Sequence, residues 1–344
     1  MTIANFVRQE YEFDARDGKR LRFKRFHDHS VEAEPVMLVH GAGVRSEIFI
    51  PPQPESLVHR LVNNGYDVWC LDWRASIDLP ADEWTIEDAA VLDHPLAVRR
   101  ICKETGVDQL KTIVHCQGST SFMLALVAGL LPEVSLVVSN AVSLHPIVPT
   151  KSRLKGKLTI PVVSRLITYL NPQWGIHAPA GWPKVLDFLV RSIHHECNNA
   201  VCKWSSFTYG TGTPTLWRHE NLNPELHRWI KGEFGPVPLS FFRHMNQCIK
   251  AGHLTTTGKY AELPRNIDAR APRTEARVVF LAGQMNNCFL AESQVRSFEW
   301  MNSYAPGKHS YYELADYGHL DVFIGKDAPR DVHPLVLDEL ARDT

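Results

Sequence analysis

The sequence has almost no net charge. Its 37 Lys and Arg stand against 38 Asp and Glu, for −1 at pH 7. That balance excludes the clustered basic excess of a nucleic-acid-binding chain and the block of like charge that marks an interaction tail. A long apolar run is missing too. The most apolar region, 122–142, is interrupted by Pro132 and Glu133, whereas a membrane span needs about 20 mostly apolar residues. Met1–Glu10 lacks the basic start and apolar stretch of a secretory signal, which points to the cytoplasm. Seven cysteines in 344 residues are few and odd in number. They read as reduced thiols, not a disulfide framework. No repeat or low-complexity tract occurs, and 44% apolar residues can fill a sizeable core.

What is present is an alternation of short apolar strands and helices. Tyr11–Phe26 reads as a hairpin around Asp17-Gly18. Apolar runs at Pro35–Val39, Asp67–Trp73, Leu110–Val114, Val134–Val138 and Ala276–Leu281 read as buried strands. Helical spacing fills Glu55–Asn63, Thr85–Thr105, Ser119–Leu131, Glu292–Ser303 and Leu335–Arg342. Ser310–Leu314 is the last strand. This order predicts an α/β fold: a mostly parallel sheet flanked by helices. The pattern breaks between 150 and 272, where Trp, His, Pro and Gly accumulate. The expected organisation is a core of 1–149 and 273–344 with a mainly helical cap inserted at 150–272.

The most informative turn is Val114-His115-Cys116-Gln117-Gly118-Ser119, which leads from a strand into a helix. It fits the G-x-S-x-G nucleophile elbow, with Cys116 replacing Ser and Val114 replacing the first Gly. A helix N-terminus favours negative charge, which suits a thiolate. His40-Gly41-Ala42-Gly43 follows the first core strand, where an oxyanion-hole loop is expected. The amides of Ala42 and Gln117 are the candidate donors, with Gly43 as the substitute. Gly41–Ser46 also imitates G-x-G-x-x-G, but lacks the third Gly. His319, just after the last strand, is the candidate base or ion-pair partner.

No Asp follows the strand before that. Asn286 stands where an orienting carboxylate is usual, with Asn287 and Glu292 as alternatives. Cys and Asn compensate each other, since a thiol needs less help from its base than a hydroxyl does. The cap aromatics Trp204, Phe207, Tyr209, Trp217 and Trp229 are candidates for an apolar pocket, together with His40, Gly43 and His115. His194, His195, Glu196, Cys197 and Cys202 match neither C-x2-C nor H-E-x-x-H, so neither a metal nor a cofactor is read from them.

Taken in order, residues 35–147 and 276–342 resemble the α/β-hydrolase superfamily. Gly65–Trp69 and Gly318–Asp321 look like its acid-lipase-type branch. His115–Ser119, Asn286–Leu290 and Asp93–Pro95 resemble hydrolase domains that accompany GMC-type flavin oxidoreductases related to cholesterol oxidase. That resemblance implies association with such an oxidoreductase. The tripeptide Cys116-Gln117-Gly118 is also similar to the Cys box of polyhydroxyalkanoate synthases. The expected function is cysteine-dependent acyl transfer from a small hydrophobic ester, lactone or thioester, through a thioester on Cys116, to water or another acceptor. A non-catalytic binding or partner domain on the same scaffold is the alternative.

Overall fold

A computed structural model describes residues 7–28, 33–212 and 214–342 of the chain. Strands β1 (Val7–Asp14) and β2 (Arg20–His27) form the expected hairpin, turning at Gly18 with φ +81°. The core strands follow as β3 (Glu34–Val39), β4 (Tyr66–Asp72), β5 (Leu110–His115) and β6 (Val134–Asn140). β7 (Arg277–Gly283) and β8 (Ser310–Leu314) complete an eight-stranded sheet in the order β1-β2-β4-β3-β5-β6-β7-β8. The sheet is parallel from β4 to β8, and only β1 and β2 run antiparallel to their neighbours.

The central strands are buried on both faces, which is why they read as continuous apolar runs. Helices cover them: α1 (Leu57–Asn63), α2 (His94–Thr105) and α3 (Cys116–Val127). Ser56 caps α1 by accepting from the His59 amide at 3.2 Å, and Gly106 ends α2 in the left-handed conformation at φ +74°. α3 starts at Cys116, three residues earlier than the apolar spacing suggests, because polar Gln117, Ser119 and Ser121 are buried within it.

Between β6 and β7 the chain leaves the sheet. It forms α4 (Thr150–Val163), α5 (Trp182–Ile193), α6 (Ala200–Tyr209), α7 (Pro224–Trp229) and α8 (Leu239–Ala251). A two-stranded ribbon, Tyr169–Leu170 with Val237–Pro238, was not legible in the sequence, being two residues on each side. Among the described residues no helix is long and apolar enough to cross a membrane. α5 nevertheless exposes Trp182, Phe188 and Ile193. α9 (Ala291–Tyr304) and α10 (His333–Ala341) return to the sheet. The loops after β3, β5, β7 and β8 all leave the carboxyl edge of the parallel strands, where open α/β sheets place their sites.

Candidate active site

Cys116 has φ +56°, one of two non-glycine residues with positive φ among those described. A side chain pays for the left-handed conformation, so its presence at a strand-to-helix turn is a built feature. Small neighbours allow it. A Cβ on Gly41 would lie 2.9 Å from Cys116 Cβ, and one on Gly118 would lie 2.1 Å from the His40 carbonyl oxygen. Val114 needs no glycine, being paired within the sheet with Val39 and Ser139.

The Cys116 side chain is buried, and burial pushes its thiol up to about 12. The backbone N–H groups of Gln117 and Ala42 point at its sulfur and pull the other way. These are the two amides expected from the sequence. The substitute donor is set aside: the Gly43 amide is occupied by the Ala75 carbonyl at 3.1 Å.

His319, Cys116 and His115 each place one donor atom within 4.8 Å of the other two. The two imidazole rings lie 4.8 Å apart. Burial, and then the neighbouring His115, push His319 well below its ordinary range. Asn286 lies beside it. Asn286 Oδ1 accepts from the backbone N–H of Cys288 (2.9 Å) and of Phe289 (3.2 Å). Those donors fix the amide, so Nδ2 faces His319 Nδ1 at 3.0 Å and donates to it. A neutral ring that accepts at Nδ1 carries its proton on Nε2.

His115 is held in the opposite tautomer. Asn140 donates from Nδ2 to the Leu281 carbonyl at 3.0 Å, which turns its Oδ1 to His115 Nδ1 at 2.7 Å. His115 therefore keeps its proton on Nδ1 and offers Nε2 as an acceptor. Burial brings it down to about 4.

The alternatives for the third member lie elsewhere. Asn287 is exposed, and Glu292 is exposed and paired with Arg296 at 3.1 Å. The three-atom cluster at Cys116 is a poor metal site, because an imidazole that ligates through Nε2 donates from Nδ1, and Asn286 presents only N–H there. A second cluster of metal-capable side chains, Cys197, Cys202, His219 and His227, lies in the inserted segment.

A cavity of about 930 Å³, its open mouth included, rises from Cys116 and Gln117. Its walls are mostly apolar and come from the inserted segment: Ile160, Val163, Phe207, Tyr209, Phe242 and Met245, with Phe289 from the core side. Of the aromatics singled out in the sequence, Phe207 and Tyr209 line it. Trp204 does not, being buried against Trp174 and Phe207. Trp217 packs on Phe234, and Trp229 also lies away from the cavity. His40 and Gly43 lie outside the cavity as well. His40 Nδ1 is 2.7 Å from the Gly41 carbonyl, and Gly43 faces Val237 and Tyr209. His115 sits beneath Cys116 and lines no wall. Periodicity could not separate wall from core among these aromatics, since both are apolar.

Two contacts stand out, one at Tyr209 beyond its place in the wall and one at Lys155, which sequence reasoning passed over. Tyr209 donates its hydroxyl to the Ala42 carbonyl at 2.8 Å, tying the inserted segment to the turn that carries the Ala42 amide. Lys155, on the cavity wall, bonds the Gly210 carbonyl at 2.5 Å, and burial brings it down to about 7.

No protein-family model matches the chain. Triacylglycerol lipase 1 of Arabidopsis thaliana is 23% identical across 96% of this chain and 86% of its own length. Gastric triacylglycerol lipase of Bos taurus is 23% identical across 92% and 82%. Among solved structures, the enol-lactonase of Burkholderia xenovorans superposes with a TM-score of 0.61 at 13% identity, over 96% of this chain and 100% of that one. A monoacylglycerol lipase of Paleococcus ferrophilus gives 0.55 at 14% identity, over 98% of both. These likenesses show the fold and support the superfamily resemblance read from the motifs.

Proposed function

We propose that this chain, which has the α/β-hydrolase fold, is a carboxylic-ester hydrolase of the lipase and esterase kind that works through Cys116. The observation that carries the proposal is the left-handed Cys116 with the Ala42 and Gln117 amides on its sulfur, at the foot of an apolar cavity. Residues 150–272 act as the cap over it. The apolar wall suits a hydrophobic acyl group.

The proton path in this reading follows the tautomers that Asn140 and Asn286 favour. At rest the thiol and both imidazoles are neutral. As the sulfur attacks the acyl carbon, its proton passes to Nε2 of His115. His319, oriented by Asn286, gives its Nε2–H as a hydrogen bond to the sulfur anion. The Ala42 and Gln117 amides hold the oxyanion, each worth ~3 kcal/mol in such chemistry. On collapse the C–O bond breaks, and the His115 proton goes to the departing alkoxide, leaving a thioester on Cys116. Water, deprotonated by His115, attacks the thioester carbonyl; the C–S bond then breaks, the His115 proton returns to the Cys116 sulfur, and the acid leaves. An alcohol in place of water makes the same step acyl transfer.

Incubation with a p-nitrophenyl ester of a medium-chain fatty acid tests this reading. Mass spectrometry should find the acyl group on the Cys116 peptide, and Cys116→Ala should abolish turnover. Turnover retained in Cys116→Ala would refute it. The amide in place of a carboxylate at 286 favours a second reading, a binding module with an inert thiol. Saturable binding of the ester without acylation would select that one.

A further inference from the structure

We propose that Cys197, Cys202, His219 and His227 form a structural zinc site, independent of the chemistry at Cys116. Their four donor atoms lie within 4.8 Å of one another. Cys202 Sγ is 3.3 Å from His219 Nε2, and Cys197 Sγ is 3.7 Å from His227 Nε2. Zinc bonded to sulfur at ~2.3 Å and to nitrogen at ~2.0–2.1 Å, in a tetrahedron, puts its S and N ligands about 3.5 Å apart. The observed pairs straddle that value. Two thiols and two imidazoles are also the donor set that selects zinc over the harder divalent ions.

The donors come from separate pieces of chain. Cys197 lies in the loop before α6, Cys202 in its first turn, His219 in the short 3-10 helix His219–Asn221, and His227 in α7. Asn199 braces them. Its side chain accepts from the Cys202 amide at 3.3 Å and donates to the His227 carbonyl at 3.0 Å, while its own amide donates to Cys197 Sγ at 3.4 Å. An N–H on a cysteine sulfur stabilises a thiolate, and such outer partners commonly orient metal ligands.

The position gives the ion work to do. The Leu216 carbonyl accepts from the Leu320 amide at 2.7 Å, and Asn221 Nδ2 bonds the Asp316 carbonyl (2.8 Å) and Asp321 Oδ2 (2.5 Å). Residues 216–221, which carry His219, thus grip the loop that carries His319. α6, which carries Cys202, ends at Tyr209 on the Ala42 carbonyl. A zinc ion would cross-link the two supports of the site through a segment of short helices.

The intact chain, purified without an affinity tag, added metal or chelator, should contain about one zinc per molecule by elemental mass spectrometry. Cys202→Ser and His219→Ala should each lower that content at least about tenfold, and Asn199→Ala should weaken retention about 10–100-fold. Cobalt(II) added to the chelated protein should give the intense visible bands of tetrahedral thiolate coordination, absent in Cys197→Ser. This variant alters a half-exposed residue and keeps the test open if the buried ones fail to fold. A wild-type chain that holds no zinc and develops no such cobalt bands would overturn the proposal, whether Cys197 and Cys202 are found as a disulfide or as free thiols.

Discussion

The Asn286 side chain donates a hydrogen bond to Nδ1 of His319 across 3.0 Å, where a carboxylate would accept one. The direction is set by the Cys288 and Phe289 amides, which claim its oxygen. Asn286→Asp would keep those two amide bonds on one carboxylate oxygen and turn the other to His319. The ring would then hold its proton on Nδ1, free Nε2 as a base and rise in basicity. In serine proteases the wrong tautomer costs about 10⁴-fold, and a thiol depends less on its base. Asn286→Asp should therefore raise ester turnover about 10–100-fold, measured as kcat/KM on a p-nitrophenyl ester. An unchanged or lower value would show that the amide is not what restrains His319.

The same reasoning separates sulfur from oxygen. Cys116→Ser alone should be inactive, because a hydroxyl needs a stronger base than two buried neutral imidazoles provide. Combined with Asn286→Asp it should recover measurable turnover. Equal inactivity of the single and double variants, both folded by circular dichroism, would count against a role for residue 286 in proton transfer.

Burial pushes the Cys116 thiol up to about 12. Below that value the thiolate fraction rises tenfold for each pH unit. Alkylation of Cys116 by iodoacetamide should thus accelerate about tenfold per unit from pH 6 to 9, without a plateau. A preformed thiolate–imidazolium pair would instead give a nearly flat profile. Peptide mapping of the alkylated cysteine, with Cys116→Ala as the blank, reads the rate at this site alone.

Much of this was legible beforehand for a simple reason. Buried parallel strands must be apolar throughout, so Val36–Val39 and Ile113–Val114 declare themselves, and a strand that ends in Cys-Gln-Gly before a helix marks a turn. Chain order pointed to Asn286 and His319, which the fold brings into hydrogen-bond contact. What stayed hidden depends on orientation. No sequence pattern says which atom of Asn286 or Asn140 meets an imidazole, because backbone amides 288 and 289 and the Leu281 carbonyl decide it. Trp204 and Phe207 read alike, yet one is core and the other cavity wall. The Cys197–His227 cluster escaped because its cysteines are five positions apart and its histidines eight, a spacing that matches no local motif, and only the packing of separate short helices brings them together.

Several buried histidines make the fold sensitive to mild acid. Burial lowers His94 to about 3 and His115 to about 4, and takes His319 well below its ordinary value. In the unfolded chain each titrates near 6.5. Below that pH the unfolded state binds more protons than the folded one, so stability falls as pH falls. At pH 5.5 each such histidine costs about 1.4 kcal/mol relative to neutral pH. Urea midpoints should drop between pH 7 and 5, ahead of carboxylate titration. A midpoint flat over that range would show that these rings are protonated in the native state.

Glycine substitutions distinguish crowding from backbone strain. Gly106 is left-handed at φ +74° with open space around it, so Gly106→Ala pays only the conformational cost, about 1 kcal/mol. Gly118 is helical, but a Cβ there would meet the His40 carbonyl oxygen at 2.1 Å and Val39 Cγ1 at 2.9 Å. The His40 carbonyl, just past the end of β3 and held by Trp73 Nε1 at 2.9 Å, cannot swing aside, so α3 must move away from β3. Gly118→Ala should cost about 1–3 kcal/mol or more in urea unfolding. The same shift separates the Gln117 amide on α3 from the Ala42 amide on the β3 turn. Turnover by folded Gly118→Ala should therefore fall well beyond any loss of folded protein, while Gly106→Ala keeps its activity. Parallel losses in the two variants would mean that the approach of α3 to β3 does not set the oxyanion geometry.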